Sequence, residues 1–92
     1  MHEACLAEQV INACTAELDA RGGRDATCVG LRIGALSAID PDSLRFCFDA
    51  LKQGTPLESA RLDIQWVAAS HAFEDPTALD IRYLEFETEV EA

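Results

Sequence analysis

The feature that most constrains this chain is a change of period at Gly22-Gly23. Before it, Leu6, Val10, Ile11, Cys14 and Leu18 recur every three to four residues between Ala4 and Ala20, the spacing of one apolar stripe on an amphipathic helix. After it, Thr27 to Gly34 alternates, with Val29, Leu31 and Ile33 on one face and Cys28, Gly30 and Arg32 on the other. That is the period of a strand. Glycines separate the two because a helix commonly ends on a residue in the left-handed conformation, which glycine adopts without penalty.

A second helix is announced by Asp40-Pro41-Asp42-Ser43, where Asp40 can cap and Pro41 suits the first helical position. Leu44, Cys47, Phe48 and Leu51 line its predicted buried stripe, and Gly54 followed by Pro56 stops it. Phe46 falls off that stripe and is expected at the surface, as a candidate partner contact. Arg61 to Val67 alternates again with Leu62, Ile64 and Trp66 inward, and Trp66 is read as a core residue or loop anchor in preference to a partner contact. Residues Ala68 to Ala78 have neither period and read as a connection. From Leu79 to Val90 a third strand changes phase, Leu79, Ile81 and Tyr83 giving way to Leu84, Phe86 and Val90, which a bulge near Tyr83 repairs.

A strand–helix–strand unit is usually a crossover between parallel strands, while the short last connection can reverse direction. The expected fold is therefore an α/β (α+β) two-layer sandwich, a mixed three-stranded sheet with two helices in the order α-β-α-β-β. Ninety-two residues are enough for one modest core, so residues 1–92 are expected to form a single domain.

Composition narrows the partners. Seventeen acidic against seven basic residues give a net charge of −10, and −6 of it lies in the last 19 residues, with seven acids and one base. Nucleic acid and anionic membranes are disfavoured by that charge. No apolar run reaches the roughly 20 residues of a membrane span, and the start lacks the basic and apolar regions of a secretory signal, so the expected location is the cytoplasm. The four cysteines, Cys5, Cys14, Cys28 and Cys47, contain no Cys-x-x-Cys and are expected to be reduced and structural. Nine helical residues place Cys5 and Cys14 roughly 180° apart, so one metal cannot take both. There is no nucleotide-binding glycine loop, no Gly-x-Ser-x-Gly and no His-Glu-x-x-His, and an enzyme is not expected.

The chain begins Met1-His2-Glu3. Histidine at position two puts the α-amine, its own amide nitrogen, its imidazole and the next amide nitrogen within chelating reach, a nitrogen-rich set suited to Ni(II) or Cu(II). On sequence chemistry alone the simpler account of these residues is a frayed, solvated terminus. His71, Glu74 and Asp75 in the connection form a second, weaker metal-ligand grouping, for which a solvated loop is the simpler account.

The start Met1-His2-Glu3, the segment from Leu31 to Pro41, the run from Leu44 to Ala50 with Gly54-Thr55, and Ala60-Arg61-Leu62 with Leu79-Asp80-Ile81 and Leu84-Glu85 together resemble the HypA/HybF family. These are accessory proteins for nickel insertion into [NiFe]-hydrogenases. The resemblance implies that His2 is the principal nickel ligand, assisted by the Met1 amine, the amides of His2 and Glu3, and Asp40 as ligand or supporting partner where it is not simply a helix cap. It implies a non-catalytic metallochaperone that works with a HypB-type maturation GTPase and the hydrogenase large subunit. Family members carry a zinc domain with two Cys-x-x-Cys pairs between the last two strands, and residues 68–78 stand in its place, whether by nature or by excision, so no structural zinc is expected. Two further readings stay open: a zinc-free interaction module that binds the partner without transferring metal, and a homodimer joined through an unpaired strand edge.

Overall fold

In the computed structural model the described residues are 3–34, 37–67 and 79–88. Their elements run α1 (Glu3–Arg21), β1 (Gly23–Gly34), α2 (Pro41–Leu51), β2 (Arg61–Val67) and β3 (Leu79–Thr88). The sheet order is β2-β1-β3, with β2 parallel and β3 antiparallel to β1. This is the expected mixed sheet with two helices. The connection 68–78 and Val90 lie outside the described residues.

The helices pack on one face of the sheet. Ala7, Val10, Ile11, Cys14 and Leu18 of α1 and Leu44 and Phe48 of α2 are buried against Val29, Leu31 and Ile33 of β1. Gly22, at φ 68°, turns the chain out of α1 in the left-handed region that favours glycine. Two readings of the apolar pattern are corrected. Leu51 is 42% exposed, and the place below the end of α2 is filled by Leu57, which is fully buried in the turn that follows. Trp66 is 45% exposed because cover fades along the outer strand β2, from buried Leu62 through half-buried Ile64. Phe46 is exposed, as its position off the stripe predicts.

β1 begins at Gly23, four residues earlier than the alternation suggests. The register to β3 shifts between Ala26 and Cys28, leaving Thr27 as the extra residue, so the inward period is interrupted where the sequence would have shown it. Of the two other shifts, one lies between Gly23 and Ala26 and one between Gly30 and Leu31, which pair with Tyr83 and Ile81 and leave Arg82 as the extra residue on β3. The phase change read near Tyr83 is that bulge.

The other face of the sheet carries polar straps. Gly30 has no side chain, and Tyr83 lies across it so that its hydroxyl donates to the Asp63 carboxylate on β2 while the Cys28 thiol donates to the Tyr83 oxygen at 3.9 Å. Arg32 grips Asp80 through two hydrogen bonds of 3.3 and 2.9 Å, and Arg82 reaches over β1 to Gln65. The hydrogen bond to Asp63 is the first reason that the Tyr83 hydroxyl is harder to ionise than an ordinary phenol.

A Cβ on Gly30 would sit 2.2 Å from the Tyr83 ring. Gly30→Ala is therefore expected to lower stability by about 1–3 kcal/mol in urea unfolding, since the ring must leave its bed. Combined with Tyr83→Ala, the two changes should cost less than their sum; strict additivity would mean that the ring does not cross Gly30.

Candidate metal centre

Five chain ends meet at one end of the sandwich: the carboxyl ends of β1 and β2, the amino end of β3, and the amino ends of α1 and α2. The parallel register pairs Gly34 with Val67, the antiparallel register pairs Ile33 with Leu79, and Glu3 meets Asp40 directly. Glu3, the Ser37–Asp40 turn, Val67 and Leu79 are thereby brought together by topology.

Within that cluster Asp40 serves two contacts. Its carboxylate caps α2, Oδ1 accepting from the Asp42 amide at 3.0 Å and Oδ2 from the Ser43 hydroxyl at 3.1 Å, with Pro41 in the first helical position. Its amide donates to Glu3 Oε2 at 3.1 Å. The turn is shaped by Ser37, whose buried hydroxyl accepts from the Ile39 amide, and by Ala38, which holds φ 61°. An alanine there costs roughly 1–2 kcal/mol relative to ordinary backbone. Strain of that kind persists only where surrounding contacts enforce it, here the buried Ser37 and Ile39 on either side.

Of the four residues singled out from sequence, the structure brings together Glu3 and Asp40; Met1 and His2 lie outside the described residues, as do His71, Glu74 and Asp75. No group of three or more His, Cys, Asp or Glu side chains placed to hold a metal occurs among the described residues. Asp40 is accounted for as the cap, and Glu3 is the link between the terminus and that cap. Glu3 is also the first residue of α1, so its amide has no carbonyl acceptor within the helix. The amide of Asp40, first, and then that of Glu3 itself hold the Glu3 carboxyl below its usual range. All four cysteines are free; Cys5 is exposed on α1 and Cys14 buried, and burial pushes the Cys14 thiol up to about 11. No described helix is long and apolar enough to cross a membrane.

Comparison with known proteins gives this arrangement a class. The family described as "Hydrogenase/urease nickel incorporation, metallochaperone, hypA" matches residues 1–74. The hydrogenase maturation factor HypA of Geotalea daltonii is 47% identical over 70 residues, covering 76% of this chain and 61% of that protein. HypA of Chlorobium limicola is 44% identical over 69 residues, covering 75% and 60%. The solution structure of the nickel metallochaperone HypA from Helicobacter pylori superposes with a TM-score of 0.84 at 19% identity, over 97% of this chain and 100% of that one, a likeness of fold. The α-β-α-β-β sandwich is thus the fold of a group of metal-handling accessory proteins. The chain belongs to the HypA family. It spans about 60% of the length of the curated relatives it matches.

Replacing Asp40 separates its cap from any other role. Asp40→Ala should lower stability by about 1 kcal/mol, whereas Asp40→Asn keeps the acceptor and should stay within a few tenths. The Glu3 carboxyl should titrate below its ordinary 4.5 by side-chain NMR, its contact to α2 being present above that depressed value and released as pH falls through it. A midpoint at or above 4.5 would contradict the contact.

Proposed function

We propose that this chain is a non-catalytic nickel-binding accessory protein that passes Ni(II) during [NiFe]-hydrogenase maturation, with Met1, His2 and Glu3 as its metal-handling residues. The ligands proposed are the terminal amine, the His2 amide and imidazole and the Glu3 amide, a nitrogen-rich set suited to Ni(II). The observation that carries the reading is the hydrogen bond from the Asp40 amide to Glu3, which ties the residue after His2 to the cap of α2. Asp40 then supports the site through Glu3, and its carboxylate remains with the helix.

Nickel is cargo here. A chelate at a chain end exchanges ligands stepwise with a second protein, so the ion moves without being released. The partner proposed is a HypB-type GTPase or the large subunit itself, inferred from family membership. Copper should bind more tightly than nickel in the usual order, so supply and partner would set selectivity. Residues 68–78 are proposed to stand where relatives carry a zinc module, leaving the nickel half to act without structural zinc.

Calorimetric titration of the untagged chain with Ni(II), beside His2→Ala, tests this. One-to-one binding is expected in the parent chain and loss of at least a hundredfold in the variant. Affinity should rise with pH through the ordinary imidazole and amine values, about 6.5 and 7.7–8.0, because both groups must lose protons to bind. Equal binding by the variant would remove nickel from the N-terminus. It would favour the reading of a module that binds its partner without metal.

A further inference from the structure

The amino end of the outer strand β2 is engaged from the helix layer, Arg45 donating to the Leu62 carbonyl and Lys52 to the carbonyl of Ala60, the residue before the strand, at 2.9 Å. The outer edge of β3 is paired with no strand among the described residues. Beneath it the helix layer also stops short. Leu79, Leu84 and Phe86 are only partly buried and Ile81 is 38% exposed, although the residues they pair with on β1 are buried.

Between α1 and β3 this leaves two adjoining hollows of about 540 and about 270 Å³, sharing Ala13 and Ile81. One reaches Phe86 at the far end of β3; the other reaches Leu6 and Leu79 at the end where Glu3 meets Asp40. An unpaired edge above a trough that presents Ala13, Ile81, Leu84 and Phe86 beside Glu17, Arg21 and Arg82 is the geometry that takes an added strand. Main-chain pairing supplies affinity and alternate side chains fill the trough.

We propose that the α1–β3 groove receives an extended, basic segment of a partner protein, which adds as a fourth strand beside β3 and places alternate apolar side chains under α1. Charge selects that occupant. Along β3 Asp80 is paired with Arg32 and Glu87 with Arg24, so the selection comes from the whole chain's charge of −10, which repels a second copy and attracts a basic segment. The bulge at Arg82 divides the edge and so favours a segment that adapts to it over a flat, identical strand. The groove's mouth beside Leu6 lies within one helical turn of Glu3, so a bound segment leads toward Glu3 and its contact with Asp40. The inference rests on the metal-transfer reading for its purpose alone; the groove stands without it.

The test uses the full chain and a synthetic peptide of about nine residues alternating lysine with valine or leucine. Its controls are a peptide of the same composition in shuffled order and one N-methylated along one edge. Backbone amide NMR reads the site. The alternating peptide should bind one-to-one with shifts confined to residues 6–17 and 79–88. Both controls should bind at least tenfold more weakly. Ala13→Phe, which fills the groove from an exposed position on α1 without touching the core, should weaken binding by a similar factor with an unchanged circular dichroism spectrum. Equal binding of the shuffled peptide, or undiminished binding by Ala13→Phe, would mean attraction by net charge alone and would overturn the proposal. So would peptide-free shifts of β3 amides that grow with protein concentration, which would make a second copy the occupant. Strong exchange protection of the outward amides of β3 in the free chain would assign the edge to the chain itself and would overturn the proposal too. His2→Ala should bind the peptide like the parent chain, so failure of the nickel site and failure of the groove are read separately.

Discussion

The central strand Gly23–Gly34 must pair with a neighbour on each side and also separate two unlike surfaces. On its helix side Val29, Leu31 and Ile33 are buried to within 1% exposure and form the floor on which α1 and α2 rest. On its other side no helix lies over it among the described residues, yet Cys28 is 1% exposed and Gly30 is buried. Tyr83 supplies the cover by crossing the place a side chain would have taken. A single glycine thus allows β3 to reach β2 over the strand between them, and β3 is fixed to the sheet by polar straps as well as by its ladder.

That arrangement bears on how the family fold tolerates change between β2 and β3. The straps Arg32–Asp80, Tyr83–Asp63 and Arg82–Gln65 hold the last strand from within the sheet, at positions that do not depend on what joins Val67 to Leu79. The same topology gathers Glu3, the Ser37–Asp40 turn, Val67 and Leu79 at one end. Asp40 is the pivot there, because its carboxylate organises α2 while its amide holds the residue after His2. Cap and anchor are separate atoms of one residue, so the terminus can be held without weakening the helix.

Much of this was legible in the sequence wherever the signal was local. The stripe of α1, the Asp40-Pro41 helix start, the opposite faces of Cys5 and Cys14 and the bulge by Tyr83 all follow from spacing and residue type. What was hidden depends on contacts distant in the chain. The early start of β1 rests on pairing of Gly23 and Ala26 with Thr88 and Phe86, and the bulge at Thr27 masks its period. Leu57 reads as a turn residue but closes the core, while Leu51 keeps helical phase and lies partly in solvent, because the chain turns at Gly54. Trp66 kept strand phase, yet an outer strand loses cover toward its end. The Glu3–Asp40 contact spans 37 residues; both partners were singled out, Asp40 by its cap and by family resemblance, but the bond between them has no local signature.

The most direct measurement is the backbone amide spectrum of the labelled chain during addition of Ni(II). If the N-terminus binds nickel beside the cap of α2, the Glu3 and Asp40 amides should change in step with the first equivalent. The amides of Gly23 to Cys28 and Glu85 to Thr88, at the opposite end of the sheet, should stay in place. Changes elsewhere, or an Asp40 amide that ignores the metal, would contradict the account.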